Sequence, residues 1–288
     1  MSLNDNVLIK IREMKDSLTP VERLVGDYIL ENVKDIPHLS IKELAQASKT
    51  SDASVLRFCK TMGYSGYRNF IVSISAALGS REDDDTKVQY TDIQPGDDLS
   101  TIISNISINN CKSINDTLSV IDRNEIARAV EVLRKSKRIL FCGIGASGLI
   151  CMDGEQKFSR INKMCHAYRD GHSQLTAATL LEKDDVVIFV SNSGSTIEIL
   201  DTLEIAQKNK ATCIAITKYN KSPLAEKADI VLSISTPELT IRSGAMGSRI
   251  AMLTIIDILF AGVASAEYEN VKKYLSMTHN ILTRKHRY

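Results

Sequence analysis

The six cysteines of this chain, at positions 59, 111, 142, 151, 165 and 213, include no C-x-x-C pair. Several lie inside apolar segments, where a reduced thiol acts as a small hydrophobe, and the pattern is that expected of a cytoplasmic protein. There is no H-x-x-x-H, no His/Cys cluster and no Walker lysine, so no metal, no cofactor and no nucleotide triphosphatase site is expected. Charge of one sign is also missing. A formal net charge of +1 describes neither a polycation nor an acidic solvating tail, so any contact with nucleic acid must come from a local patch. No apolar run approaches the roughly 18 residues of a membrane span, and the start Met1-Ser2-Leu3-Asn4-Asp5-Asn6 has no basic region followed by an apolar core. Neither export nor membrane insertion is expected.

What remains is an ordinary globular composition, 43% hydrophobic and 25% charged over 288 residues, long enough for about two domains. The charged and turn-rich stretches Arg81-Glu82-Asp83-Asp84-Asp85 and Gln94-Pro95-Gly96-Asp97-Asp98 cannot support a packed element. They set a linker over 79–98 between a first domain, 1–78, and a second, 99–288. The first shows only helical periodicity, with capping boxes at Thr19-Pro20-Val21-Glu22 and Ser40-Ile41-Lys42-Glu43. In the second, helices over 99–118 and from Asp122 to about Lys135 precede an alternation. Apolar runs at 138–142, 164–168, 186–190, 213–217 and 230–234 are separated by helical stretches, the pattern of a doubly wound α/β domain with a five-stranded parallel sheet. A long apolar helix, about Ala251 to Ala264, and a basic tail containing Lys272, Lys273, Arg284, Lys285 and Arg287 close the chain. The tail reads as a solvated charged end.

Within the first domain, a short helix over Ile41–Gln46, a turn over 47–50 and a second helix over 51–60 have helix-turn-helix spacing. Val55, Phe58, Cys59 and Met62 share the inward face of the second helix, which leaves Ser51, Asp52, Ala53, Ser54, Arg57 and Lys60 as candidate DNA-binding residues. Short side chains at the leading end let a helix approach base edges, while Arg57 and Lys60 reach guanines or phosphates. Between Lys42 and Arg68 five basic residues face two acidic ones. A small helical interaction domain is the alternative. Tyr64 and Tyr67 read as core-sealing residues beside the turn at Gly63.

Two loops of the second domain carry the anion chemistry. Ser191-Asn192-Ser193-Gly194-Ser195-Thr196 follows an apolar strand and opens a helix, a geometry that aims backbone N–H groups and hydroxyls at one point. Gly143-Ile144-Gly145-Ala146-Ser147-Gly148, directly after another strand, matches G-x-G-x-x-G, and Asp170 lies about twenty residues on, so a dinucleotide site is a rival. Hydroxyls at Ser147, Ser191, Ser193 and Thr196 suit a compact phosphomonoester better. The candidate effector site is therefore Gly145, Ser147, Ser191, Asn192, Ser193, Gly194, Ser195 and Thr196, with Glu238 and Arg242 available for sugar hydroxyls and phosphate. No catalytic residue is assigned. His172 reads as a loop-organising residue and Asp170 as a helix cap, but a sugar-phosphate isomerase or lyase using Glu238 or His172 as base stays open.

Taken together, these residues resemble the RpiR-type bacterial transcriptional regulators, in which an N-terminal helix-turn-helix is joined to a sugar isomerase (SIS) domain. The marks are Leu39-Ser40-Ile41-Lys42-Glu43-Leu44-Ala45, Ser54 to Lys60 followed by Gly63-Tyr64, the loops at 143–147 and 191–196, Ser222-Pro223-Leu224 and Arg242-Ser243. The resemblance implies an SIS-type fold and a cytoplasmic regulator of sugar metabolism that is not an enzyme. It implies a double-stranded DNA operator, a phosphorylated sugar effector gripped by Ser147, Ser191, Ser193 and Thr196, and assembly as a homodimer or homotetramer. Two positions depart from the family pattern. Lys49 and Thr50 stand where Gly and a β-branched apolar residue are usual, and Asn162 stands where Gly is common.

Overall fold

A computed structural model describes residues 7–79, 96–236 and 245–285. The chain divides into two compact units, one dominated by the residues up to Thr91 and the other by those from Asp92 onward. Most of the expected linker, and with it the acidic run at 82–85, lies outside the described residues.

The first unit is entirely helical: α1 (Val7–Met14), α2 (Pro20–Glu31), α3 (Ile41–Ala47), α4 (Asp52–Thr61) and α5 (Tyr67–Gly79), with short 3-10 turns at Lys15–Ser17 and Ile36–His38. Both capping boxes form. Thr19 accepts from the Glu22 amide while Glu22 reaches back to Thr19, and Ser40 and Glu43 do the same at α3. The Ser40 hydroxyl and then its amide hold the Glu43 carboxyl below the usual carboxylate range. The amphipathic stripes meet in one core of Val25, Ile29, Leu44, Val55, Phe58, Phe70 and Ile74, with the Phe58 and Phe70 rings edge-on at 5.7 Å.

The second unit opens with α6 (Leu99–Val120), capped by Asp98, and α7 (Arg123–Lys135), capped by Asp122. Then come β1 (Arg138–Cys142), α8 (Ala146–Ser159), β2 (Met164–Ala167), α9 (Gly171–Ala178), β3 (Val186–Val190), α10 (Ile197–Lys208), β4 (Thr212–Lys218), α11 (Pro223–Lys227), β5 (Ile230–Ile234), α12 (Met246–Ala266) and α13 (Tyr268–Lys285). All five strands are parallel, in the order β2-β1-β3-β4-β5. Both faces are covered, which is why the strands read as unbroken apolar runs. Ile139, Phe141, Ile188 and Ile214 pack with Met252, Ile255 and Leu259 of α12 on one face. Leu140, Cys142, Val187 and Phe189 pack with Ile199 and Leu203 of α10 and Leu224 of α11 on the other. Five of the six cysteines are buried, Cys111 being the exposed one. Burial pushes the thiol of Cys165 up to about 11 and those of Cys59 and Cys213 to about 12, so these groups behave as small apolar side chains.

One expectation about the end of the chain changes. Helix α12 begins five residues before Ala251, and with 21 residues and a mean hydropathy of 1.8 over its most apolar window it is long and apolar enough to cross a membrane. The apolar run was underestimated because Ser248, Arg249 and Thr254 interrupt it in sequence; Ala251, Ile255, Ile256 and Val263 place one side of it in the core. The basic tail is helical, with Lys272 and Lys273 exposed as a solvated charged end requires. Lys272, Lys273, Arg284 and Lys285 belong to the 18-residue α13, while Arg287 lies outside the described residues.

Candidate phosphate cradle and nucleic-acid interface

The chain leaves β1 toward β2 and leaves β3 toward β4, on opposite sides, although β1 and β3 are neighbours in the sheet. The loops that follow β1 and β3 therefore diverge and leave a crevice at the carboxyl ends of the strands, where open α/β sheets bind ligands. Helix N-termini crowd this point. Among the described α-helices with an assigned N-cap, Thr19, Ser40, Ser51, Asp98, Asp122, Asp170 and Ser222 cap theirs through a side chain. Gly145 of α8, Thr196 of α10 and Ala245 of α12 do not. Those three helices keep first-turn N–H groups free of a side-chain acceptor, and an anion is the natural partner for them.

The loop after β3 is built by its own hydroxyls. The Ser191 hydroxyl, in a residue only 4% exposed, accepts the Gly194 amide at 3.2 Å and lies 3.3 Å from the Thr196 hydroxyl. Ser193 accepts the Ser195 amide at 3.3 Å. Backbone bonds pin the loop to the far side of β4: the Lys218 amide donates to Asn192 O and the Leu224 amide to Gly194 O. At Gly194 φ is +63° and an added Cβ would sit 2.2 Å from the Ser222 hydroxyl, so glycine is required twice over.

The loop after β1 is built from backbone. Gly145 enters α8 at φ +61° with open space around it, and Ser147 sits in the first turn. Gln174, fully buried, donates from Nε2 to Gly143 O at 2.9 Å and Tyr168 O at 2.8 Å, tying this loop to the end of β2. Ser147 and Asn192, one from each loop, line a common recess of about 110 Å³ together with Ile144, Ala146, Ile150, Ala245, Ser248, Arg249 and Met252.

In the helical unit, α3 ends in a Schellman turn: the Lys49 amide donates to Gln46 O and the Thr50 amide to Ala45 O. Lys49 takes φ +54°, the left-handed conformation for which glycine is suited, and Asn162 takes φ +65°. Ser51 caps α4 through the Ser54 amide. Val55, Phe58, Cys59 and Met62 are all fully buried, and Ser51, Ala53, Arg57 and Lys60 are exposed along the other side, with Asp52 half-buried.

The same two parts are found by comparison with known proteins. Residues 5–81 match the helix-turn-helix domain of the rpiR family and residues 132–262 match the SIS domain. An HTH-type transcriptional regulator of Caldanaerobacter subterraneus is 43% identical, over 96% of this chain and 97% of its own. The chain belongs to the RpiR family of HTH-type transcriptional regulators. Another relative, YbbH of Bacillus subtilis, also an HTH-type transcriptional regulator, is 34% identical over 93% of this chain and 94% of its own. The solved structure of the Vibrio vulnificus NanR protein complexed with ManNAc-6P is 28% identical with a TM-score of 0.61, covering 97% of this chain and 98% of that one.

For this RpiR-family chain, the sequence-derived site residues fall into three groups. Ser147 and Asn192 border one recess, with Gly145 at its edge as the α8 N-cap; Ser191, Ser193, Gly194, Ser195 and Thr196 form the adjoining loop. Glu238 and Arg242 lie outside the described residues. Ser54 is a correction: it is 5% exposed, its hydroxyl 3.0 Å from that of Ser51 and accepting from Arg57 Nη2 at 3.3 Å, because at the third position of a capped helix the side chain folds back on the cap. It supports Arg57 from below the surface. Asp170 caps α9 through the Ser173 amide, a bond that lowers its pKa, and His172 is exposed in the first turn. Tyr64 packs edge-on against Phe70 and Tyr67 donates to Leu39 O. Sequence reasoning missed Gln174 and Arg249. A glutamine in a helical stretch carries no sign of burial, and Arg249 precedes the residue at which the helix was expected to start.

Proposed function

We propose that this regulator binds a phosphorylated sugar in the crevice between the β1 and β3 loops, and that binding changes its affinity for a double-stranded DNA operator in the cytoplasm. The observation that carries the reading is the convergence of three helix N-termini without side-chain caps on one crevice at the sheet's switch point. The phosphate belongs in the cradle of Ser193, Ser195, Thr196 and Ser147, with Ser191 and Gly194 holding its shape. Hydrogen bonds to a charged phosphate contribute about 1.5–3 kcal/mol each. NanR's complex with ManNAc-6P supports a sugar phosphate as the ligand class.

DNA contact is assigned to the exposed side of α4, with Arg57 and Lys60 reaching bases or phosphates and Ser51, Asp52 and Ala53 at the approach end. An effector coupling of about 1–3 kcal/mol would change operator affinity by about 5- to 150-fold. A homo-oligomer matches a two-fold operator, and the exposed aliphatic side chains Leu99, Ile103 and Ile106 along α6 support self-association. The relatives are regulators, and the chain's role is regulatory rather than enzymatic.

The test is a thermal-shift screen of phosphorylated sugars, beginning with ManNAc-6P, on wild type and Ser193→Ala, followed by operator binding with and without the hit. A specific hit lost in Ser193→Ala supports the cradle. A panel-wide absence of shifts, or turnover of a sugar phosphate by the purified protein, overturns the reading.

A further inference from the structure

The recess beside the cradle holds a charge that no described residue answers. Arg249, in the first turn of α12, lines it half-buried, and its guanidinium makes no hydrogen bond or ion pair among the described residues. Among the described residues no carboxylate lines the recess. Its walls are Ile144, Ile150 and Met252, a low-dielectric lining that strengthens whatever charge interaction is made there. Asn192 adds a buried Oδ1 without a donor, an acceptor suited to a sugar hydroxyl between the two anionic ends. A partly desolvated guanidinium without a partner is costly, and the planar fork of arginine matches a carboxylate through two parallel bonds.

Arg249 is not simply the counter-ion of the cradle. Of the cradle residues, Ser147 lines the recess and Ser193, Ser195 and Thr196 do not; of the loop 191–196 only Asn192 does. A ligand anchored by its phosphate in that loop would extend past Asn192 toward the guanidinium. From this juxtaposition we infer that the effector carries a second anion, and that Arg249 selects phosphorylated sugars bearing a carboxylate over neutral sugar phosphates. The inference rests on the phosphate-cradle reading.

Matched ligand pairs that differ only by CH2OH against carboxylate test it: glucitol 6-phosphate with 6-phosphogluconate, ribitol 5-phosphate with 5-phosphoribonate, and glycerol 3-phosphate with 3-phosphoglycerate. Titration calorimetry on the full chain should find a pair whose carboxylate member binds about tenfold tighter or better. That ratio should fall to about one in Arg249→Gln and to an intermediate value in Arg249→Lys, with the ligand-free melting temperature unchanged. The neutral member of that pair should bind both Arg249 variants as it binds wild type. Failure of the wild type to separate any pair, including by binding neither member, overturns the inference. So does a preference that survives Arg249→Gln, or an equal loss of both members in that variant. Ser193→Ala separates this from the cradle itself: it should weaken both members alike and keep their ratio, and if it weakens neither, the cradle reading fails and this inference with it, whereas a lost preference with Ser193→Ala still weakening both overturns the inference alone.

Discussion

The two loops that face each other across the crevice reach the same end by different means. After β3, side chains make the loop: Ser191 and Ser193 accept neighbouring amides, and a Cβ added at Gly194 would meet Ser222 and come within 3.0 Å of the Thr217 hydroxyl. After β1, backbone makes the loop, Gly145 turns in open space, and the Ser147 amide donates to Ile144 O at 3.2 Å while its hydroxyl makes no bond among the described residues. Shape and contact are thus separated. A buried hydroxyl engaged in holding the loop, that of Ser191, has less to give a ligand than one left outward, whereas the exposed Ser193 accepts an amide and keeps its O–H to donate, so Ser191 and Ser147 should fail differently when removed.

The largest break in that contrast comes from the glycines. Gly194→Ala adds both a left-handed conformation and a collision with Ser222, and should destabilise the α/β unit by about 2–4 kcal/mol while abolishing sugar-phosphate binding. Gly145→Ala adds only the conformational cost, about 1–2 kcal/mol, since an added Cβ there meets nothing within 4 Å. Urea unfolding of the two variants side by side is the measurement. Equal losses would mean that the packing of the β3 loop against α11 contributes nothing.

The serines give the next contrast. Ser191→Ala leaves the Gly194 amide buried without its acceptor and should cost about 1–2 kcal/mol of stability, with binding weakened because the loop loosens. Ser147→Ala should leave stability within about 0.5 kcal/mol and weaken sugar-phosphate binding about tenfold. Melting temperature and ligand titration, read together, separate the two. A Ser147→Ala protein that melts early and binds normally would invert the assignment.

The elements were legible wherever local chemistry and tertiary demand agree. Thr19 and Ser40 cap because their capping boxes are complete within four residues, and β3 reads as a strand because a sheet covered on both faces needs apolar residues at every position. What escaped was decided at a distance. Ser54 was assigned outward by helical periodicity, but the Ser51 cap draws it in. Gln174 is a buried tie from α9 to Gly143, 31 residues away, and to Tyr168, and no periodicity marks such a residue. The α12 start depends on a left-handed Ala245, a backbone state that alanine does not advertise. The cradle's hydroxyls were visible as a cluster, whereas their division into loop-holding and outward groups belongs to the bond pattern alone.

The smallest effect lies in the helical unit, where the same Schellman turn occurs twice with different residues. After α4 the left-handed position is Gly63, at φ +86°, with the Gly63 amide on Lys60 O and the Tyr64 amide on Cys59 O. After α3 it is Lys49, at φ +54° and exposed. The hydrogen bonds are equivalent, so the difference is the strain of a side chain in a left-handed conformation, offset in part by the greater freedom of glycine in the unfolded chain. Lys49→Gly should therefore raise stability by about 0.5–1 kcal/mol, read as a small upward shift in the melting of the helical unit. Operator affinity should move the other way, because Lys49 is one of the five basic residues between Lys42 and Arg68. A gain in stability without a loss in affinity would remove Lys49 from the nucleic-acid interface; a loss of stability would mean that the lysine makes a stabilising contact outweighing its strain.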